Sequence, residues 1–447
     1  MRAEEGQQLP ADGGQRLSAE DVRILALETG AVAGHTCKVI ILRDALDIGE
    51  LRRSVAGRLD RAPLMRMRLG EVDGTPWWVP DPQVDVTAHV VSAGLAGSGD
   101  EAGLRTAVAR IFEQRLDRSR PLWRMDVIPR LANGGSALTW RIHHALADGS
   151  TAMRMAGAVL WDDLPAGQPT PGALSRPRET KPVAGPRHRV EGLRAALREA
   201  PQPWLHSPFD GHIDGRRAVA FAAAGLDELH RVARAADGAT VNDAVLTVVA
   251  GGVRRWLEEH HGHLDTIRVK VPVSLHGPAA PHGGAEDPGR RGAGASPGNR
   301  DSYFCLDLPL GSADPLERLA AIRRATRLRK RGHDAQHLDT LTRELARAPK
   351  LGPFVERILA HPRSFALNVS NVPGPREPVR VLGVPVEAMY SLAEIGEHHV
   401  LRVAVVSLAG RLNFGLVADP TLLTDVDHLA DAVHAEAAAL TASIPLD

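Results

Sequence analysis

Apolar residues in this chain recur at two spacings, every second position in short runs and every third or fourth in longer ones, which predicts strands and helices. Ser18, followed three residues on by Asp21, reads as a capping box that opens a helix through "AEDVRILALETG", stopped at Gly30. "HTCKVIILR" (His35 to Arg43) is rich in β-formers, whereas "DIGELRRSVAGRLD" from Asp47 has helical spacing. "LWRMDVI" and "SALTWRI" are two further predicted strands, the second running into adjacent histidines, His143 and His144. After Gly149, "STAMRMAGAVLW" recovers helical periodicity, with Met153, Ala156 and Leu160 on one face.

The periodicity then stops. From Asp163 to about His188, prolines and small polar residues cannot build a core and read as a semi-rigid linker. Beyond it, "RRAVAFA" predicts a strand and "LDELHRVARAADG" a helix closed by Gly238. "TVNDAVLTVVAGGVRRWLEEHH" predicts a long buried helix with Thr240 as N-cap. "IRVKVPVSL" and "DSYFCLDLPL" read as strands on either side of a Gly/Pro-rich insert, between Gly277 and Gly298, read as a mobile surface loop. "DPLERLAAIRRATRLRK" is an amphipathic helix with Asp314 as its cap. "SFALNVSNV", "LRVAVVSLAG" and "RLNFGLVAD" are three more strands, and an Ala-rich helix follows Asp425.

At 447 residues the chain exceeds the roughly 250 to 300 at which one core stops growing, so two domains are expected. The expected division is a disordered tail at 1–16, an N-terminal domain at 17–162, the linker at 163–188 and a C-terminal domain at 189–447. Strands and helices mix without regular βαβ alternation, which makes the fold class α+β. No sequence repeat relates the two halves.

Charge removes one class of partner: 54 Lys plus Arg balance 54 Asp plus Glu, and no basic run interleaves with aromatics, so nucleic acid is not expected. Two distant cysteines, Cys37 and Cys305, build neither a disulfide framework nor a CxxC metal site. With a polar N-terminus and no apolar run near the roughly 18 residues that span a bilayer, a cytoplasmic location is expected.

The chemistry concentrates in "RIHHALADGSTAMRM". Adjacent residues on an extended chain point to opposite faces, so His143 and His144 do not easily share a metal, and no metal site is expected. "HHGH" (His260, His261, His263) reads as a solvated surface cluster. The alternation suggests a division of labour, one imidazole held inward and the other facing a cleft as a base. His144, nearer the turn, is the better base. Asp148 either orients that ring or, the favoured reading, fixes the loop through an arginine partner. Gly149 permits a sharp turn or a close approach of substrate. The bland alternative is two core histidines and an ordinary Asp-Gly turn.

"HHALADG" matches the HHxxxDG signature of the CoA-dependent acyltransferase superfamily, which includes chloramphenicol acetyltransferase and peptide-synthetase condensation domains. With "LDRSRPLWRMDVI", "TVNDAVLTVVAGGVRRWL", "VPVSL", "LPLGSADPLERLAAIR" and "SNVPGP" in that order, the chain resembles the bacterial wax ester synthase / diacylglycerol acyltransferase family from about Leu17 to its last helix. The resemblance implies two chloramphenicol-acetyltransferase-like domains with an active-site tunnel between them. It also implies transfer of a long-chain acyl group from acyl-CoA, as co-substrate and without a cofactor, to a fatty alcohol or a diacylglycerol. His144 matches the base, His143 its support, and Asp148 with Gly149 the rest of the motif. Asn242 and Asp243 match the family's Asn-Asp pair, holding a thioester oxygen or acting structurally; Pro121, Leu122 and Trp123 match an element that shapes an acyl channel or simply packs. Ser370, Asn371, Val372, Pro373, Gly374 and Pro375 match a turn that is structural or lines the tunnel. Leu408 stands where the family commonly has a Tyr, the insert before Gly298 is unusual, and aromatics are only 4%, so aliphatic side chains must wall any tunnel.

The mechanism this implies is direct transfer, since no serine sits in a GxSxG elbow. Lipid substrates imply work at a membrane or droplet surface. "LERLAAIRRATRLRK" reads either as an interfacial segment or, more simply, as a packed helix with a basic face. Two other readings stay open: acylation or condensation of a specialised metabolite, and a non-catalytic lipid- or CoA-binding homologue.

Overall fold

The strands on either side of the histidine pair's approach form the centre of one of two six-stranded sheets. The computed structural model describes residues 13–28, 30–95, 97, 99–162, 207–274, 301–331 and 364–444. The Pro-rich linker and the Gly277–Gly298 insert lie outside the described residues, as do the first twelve residues of the expected tail. In chain order the first half runs β1 (Gln15–Arg16), α1 (Ala19–Leu27), β2 (His35–Leu42), α2 (Ile48–Arg58), β3 (Met67–Val72), β4 (Thr75–Pro80), α3 (Val86–His89), β5 (Val90–Ser92), α4 (Glu101–Glu113), β6 (Trp123–Ile128), β7 (Ser136–His143) and α5 (Gly149–Val159). The second half runs β8 (Ala218–Gly225), α6 (Leu226–Ala235), α7 (Val241–His260), β9 (Thr266–Ser274), β10 (Asp301–Pro309), α8 (Pro315–Arg331), β11 (Leu367–Val372), β12 (Arg380–Val381), β13 (Val384–Ala393), β14 (Leu401–Leu408), β15 (Arg411–Ala418) and α9 (Val426–Ala442).

Local signals set most element ends. Ser18 and Asp21 form the expected capping box on α1, Asp47 caps α2 through the Glu50 amide, and Thr240 with Asp243 forms a second capping box on α7. The tail is shorter than expected: Gln15 and Arg16 pair with Trp78 and Trp77, adding a strand to the β3–β4 hairpin.

The first sheet has the order β12-β13-β2-β7-β6-β5 and the second β10-β9-β11-β14-β15-β8. The sheets therefore do not divide where the sequence does. β13, from the C-terminal segment, pairs antiparallel with β2 along Val386–Ala393 and so completes the first sheet before the chain passes into β14 of the second. A register shift between Val386 and Ala388 breaks the alternation of β13, which removes the period-two signal that would have marked it as a strand.

Each face of the second sheet has its own role. Val269, Val271, Leu367, Val369, Val403 and Val405 pack under α6, α7 and α9. The alternate residues face the first half: Val372, Val406 and Leu408 join the core around α5, and Val219 and Val417 join the core that holds α4. α8 is a packed helix, with Leu319 and Ile322 fully buried and Arg318 paired with the buried Glu436, while Leu328 is exposed.

A buried ion pair ties the seam between the halves. Glu394, just beyond β13, accepts from the Arg217 guanidinium at 2.9 Å and from the Ala33 amide at 3.1 Å, while Arg217 also donates to Ala31 O at 2.6 Å. Removing one partner from such a pair leaves an uncompensated buried charge, which costs about 3 to 5 kcal/mol. Glu394→Ala is accordingly expected to lower the thermal midpoint by about 3 to 5 °C, measured by calorimetry; an unchanged midpoint would show that the seam does not depend on this pair.

Candidate active site

His143 ends β7 and His144 opens the turn that follows, and their rings take separate environments. His143 is sealed. Its Nδ1 accepts from the Ala145 amide at 3.1 Å, so the ring proton sits on Nε2, which faces Glu28 Oε2 at 3.3 Å. Glu28 is held in turn by Arg118 at 2.6 Å. Burial acts to raise the Glu28 pKa, but hydrogen bonds from His143 and Arg118 outweigh it and leave the carboxyl below its usual value. Glu28 therefore stays ionised and fixes the tautomer of its partner. Gly34, at φ +71°, makes room: a Cβ there would lie 2.8 Å from His143 Nε2.

His144 is only part-buried. Its amide donates to Gly34 O at 3.0 Å. Desolvation first, then the charge of Arg402 on β14, pulls the ring's pKa down to about 4; Asp148 opposes this. The imidazole is neutral at physiological pH, the state a base requires.

Asp148 and Gly149 serve the backbone. Asp148 is the N-cap of α5, its Oδ1 accepting from the Thr151 amide at 2.6 Å and the Ser150 hydroxyl at 2.9 Å. The structural role expected for Asp148 thus operates through the helix start. A buried lysine, Lys38 on β2, feels the Asp148 charge; its Nζ donates to Ser391 Oγ at 2.6 Å, and burial brings its pKa down to about 8. Gly149 has no positive φ, so turn strain does not explain it. A Cβ there would meet Val372 Cγ2 at 2.8 Å: the glycine lets the first turn of α5 touch β11 of the other sheet.

The remaining predicted residues spread over the molecule. Leu122 O accepts from the His143 amide at 2.9 Å, and Trp123 donates to Met65 O at 2.8 Å while stacking on His89. Pro121, Leu122 and Trp123 are all buried, so this element packs and anchors β7. Asp243 accepts from Thr240 and, at 2.7 Å, from the Thr326 hydroxyl of α8, tying two helices together. Asn242 lies beside it in the first turn of α7, which packs on the sheet face remote from Val372 and Arg402. By alternation Asn371 shares the face of Leu367 and Val369, whereas Ser370 and Val372 face the first half. Gly374 donates to Ser407 Oγ at 2.9 Å and Ala409 to Pro375 O, locking the Pro373–Pro375 turn onto β14. Leu408 is buried in the core around α5.

The histidines of "HHGH" do not converge. His260 pairs with Asp425 at 2.8 Å and lies near His428, while His263 faces Asp265. Residues that sequence reasoning passed over, Glu28, Gly34, Lys38 and Arg402, come to the histidines from elements remote in the chain. The only local sign was a glycine directly before the β2 run.

The Gly149–Val372 approach gives a direct test. Gly149→Ala is expected to destabilise the protein by about 1 to 3 kcal/mol through overpacking. Val372→Ala in the same chain is expected to return part of that loss, read as a non-additive double-mutant cycle in chemical denaturation. Strict additivity would show that the two residues are not in contact.

Comparison with known proteins bears on this geometry. The chain matches the wax ester synthase/diacylglycerol acyltransferase catalytic domain over residues 17–202 and the C-terminal domain of the same family over 297–441. It is 29% identical over 459 residues to "Probable diacyglycerol O-acyltransferase tgs1" of Mycobacterium tuberculosis, covering 95% of this chain and 94% of that one. In fold it is similar to the wax ester synthase/diacylglycerol acyltransferase of Marinobacter aquaeolei VT8, with TM-score 0.68, 22% identity and coverage of 96% and 99%. It is also similar to the first condensation domain of the calcium-dependent antibiotic synthetase, with TM-score 0.62, 18% identity and coverage of 96% and 95%. With family matches over most of the chain, the first of which takes in the histidine pair, the chain belongs to the wax ester synthase/diacylglycerol acyltransferase family.

Proposed function

We propose that the protein moves a long-chain acyl group from acyl-CoA to the hydroxyl of a lipid alcohol, a fatty alcohol or a diacylglycerol, with His144 as general base. The observation that carries this reading is the state of one ring: neutral, part-buried in the turn that follows β7, and under the charge of Arg402 on the other sheet. His144 Nε2 takes the proton as the alcohol oxygen attacks the thioester carbon. The imidazolium then returns that proton to the departing CoA thiolate. His143, pinned by Glu28, and the Asp148-capped helix hold the base in place. This reading gives Asn242, whose helix packs behind the second sheet, no part in the step.

Among the described residues no helix is long and apolar enough to cross a membrane. The lipid acceptor is therefore met, on this reading, at a membrane or droplet surface by peripheral contact.

Wild-type and His144→Ala protein, each given palmitoyl-CoA with hexadecanol or dioleoylglycerol, test the assignment through release of free thiol. The variant is expected to lose about 10² to 10⁴ in acceptor-dependent rate. Equal rates would remove His144 as base. Release that never depends on an alcohol would favour a specialised-metabolite or non-catalytic role.

The pH profile is a second test. The base is lost only as pH falls through the ring's pKa of about 4, so kcat/KM is expected to stay flat from pH 8 to 6 and decline below 5. An acid limb centred near 6.5 would mean that the ring is not desolvated in the free enzyme.

A further inference from the structure

Lys270 on β9, Asn368 on β11 and Arg402 on β14 sit at directly opposed register positions. Their neighbours Val269, Leu367, Leu401 and Val403 point into the core under the helices, so alternation puts all three on the face that meets the first half. Farther along that face it is apolar and filled, with Val372, Val406 and Leu408 packed around α5. At the Lys270 row it turns polar, and there His144 feels the charge of Arg402.

Lys270 is half-buried, its Nζ lying 4.0 Å from the centre of the Tyr303 ring and 5.3 Å from that of Phe365. Among the described residues no carboxylate pairs with it. Glu20 of α1, whose charge it feels, is taken by Arg23. Burial, then Arg23 and Arg402, bring its pKa down to about 8. A cation in such a recess, beside a second cation and an amide, is costly until an anion arrives. With strands about 4.8 Å apart, Lys270 and Arg402 are separated by about 10 Å at the backbone, a span their long side chains can close on one acid group.

Which molecule brings the anion follows from distance. The phosphates of CoA stand a whole pantetheine arm away from the thioester carbon, whereas Arg402 acts directly on the base. We propose that Lys270, with Asn368 and Arg402, binds a phosphate or carboxylate group on the acceptor alcohol, so that this enzyme prefers acidic alcohols over neutral ones. The inference rests on His144 being the base. The chemistry is otherwise unchanged: the alcohol proton passes to His144, the C–O bond forms, the C–S bond breaks, the thiolate regains the proton, and the acid group is a spectator.

The test compares kcat/KM for 1-oleoyl lysophosphatidate and 12-hydroxystearate with that for hexadecanol and dioleoylglycerol, using palmitoyl-CoA as donor. In Lys270→Met the ratio of acidic to neutral acceptors is expected to fall at least tenfold, through KM, and Lys270→Arg is expected to retain most of it. A wild-type enzyme indifferent to acceptor charge, or a ratio unchanged in Lys270→Met, overturns the proposal. So does a loss that follows the donor, appearing with palmitoyl-CoA for every acceptor and vanishing with palmitoyl-pantetheine, because Lys270 would then hold a CoA phosphate. His144→Ala is run in parallel. Full activity in that variant defeats the base assignment whatever Lys270 does, and a reduced ratio in Lys270→Met with an active wild type identifies the acidic acceptor independently.

Discussion

The contact of Gly149 with Val372 is the constraint on which the rest of the site depends. It lets the first turn of α5 lie against the Val372 side chain of β11, and so fixes the distance between a helix of one half and a strand of the other. His144 precedes that turn, and the field it feels from Arg402 exists only because the two sheets meet so closely there. A single methyl group at position 149 would push apart surfaces that interior packing keeps within van der Waals contact.

Around that contact, buried charge is used sparingly and for orientation. Glu28 sets the tautomer of His143, Glu394 with Arg217 holds the crossover from β13 to β14, and Asp148 caps the helix that follows the base. Each carboxylate has several donors, which is what makes its burial tolerable. Lys270 is the contrast, a half-buried ammonium that finds aromatic faces but no carboxylate among the described residues. Groups that maintain the fold are matched within it, whereas on the reading proposed above Lys270 takes its counter-charge from a ligand.

Much of the architecture could be read along the chain because it is encoded locally. The helix starts at Ser18, Asp47 and Thr240 follow from side chains that satisfy free amides, and β2, β6 and β7 follow from apolar runs of β-formers. The β3–β4 hairpin carried a readable signal that went unused, Asp73-Gly74 with positive φ at both residues. The sequence alone thus determined most of the elements, the α+β class and the motif that places chemistry at the histidine pair.

The tertiary structure alone decided the rest. That β13 belongs to the first sheet depends on a pairing with β2 across more than three hundred residues, and a bulge hides its alternation. That Glu28 supports His143, that Gly149 spares Val372 and that Lys270 shares a face with Arg402 are likewise contacts between distant segments. Periodicity and capping report only on neighbours within a turn or a strand. The pairing of faces is settled by which apolar surfaces can be buried together, and that is a property of the whole fold.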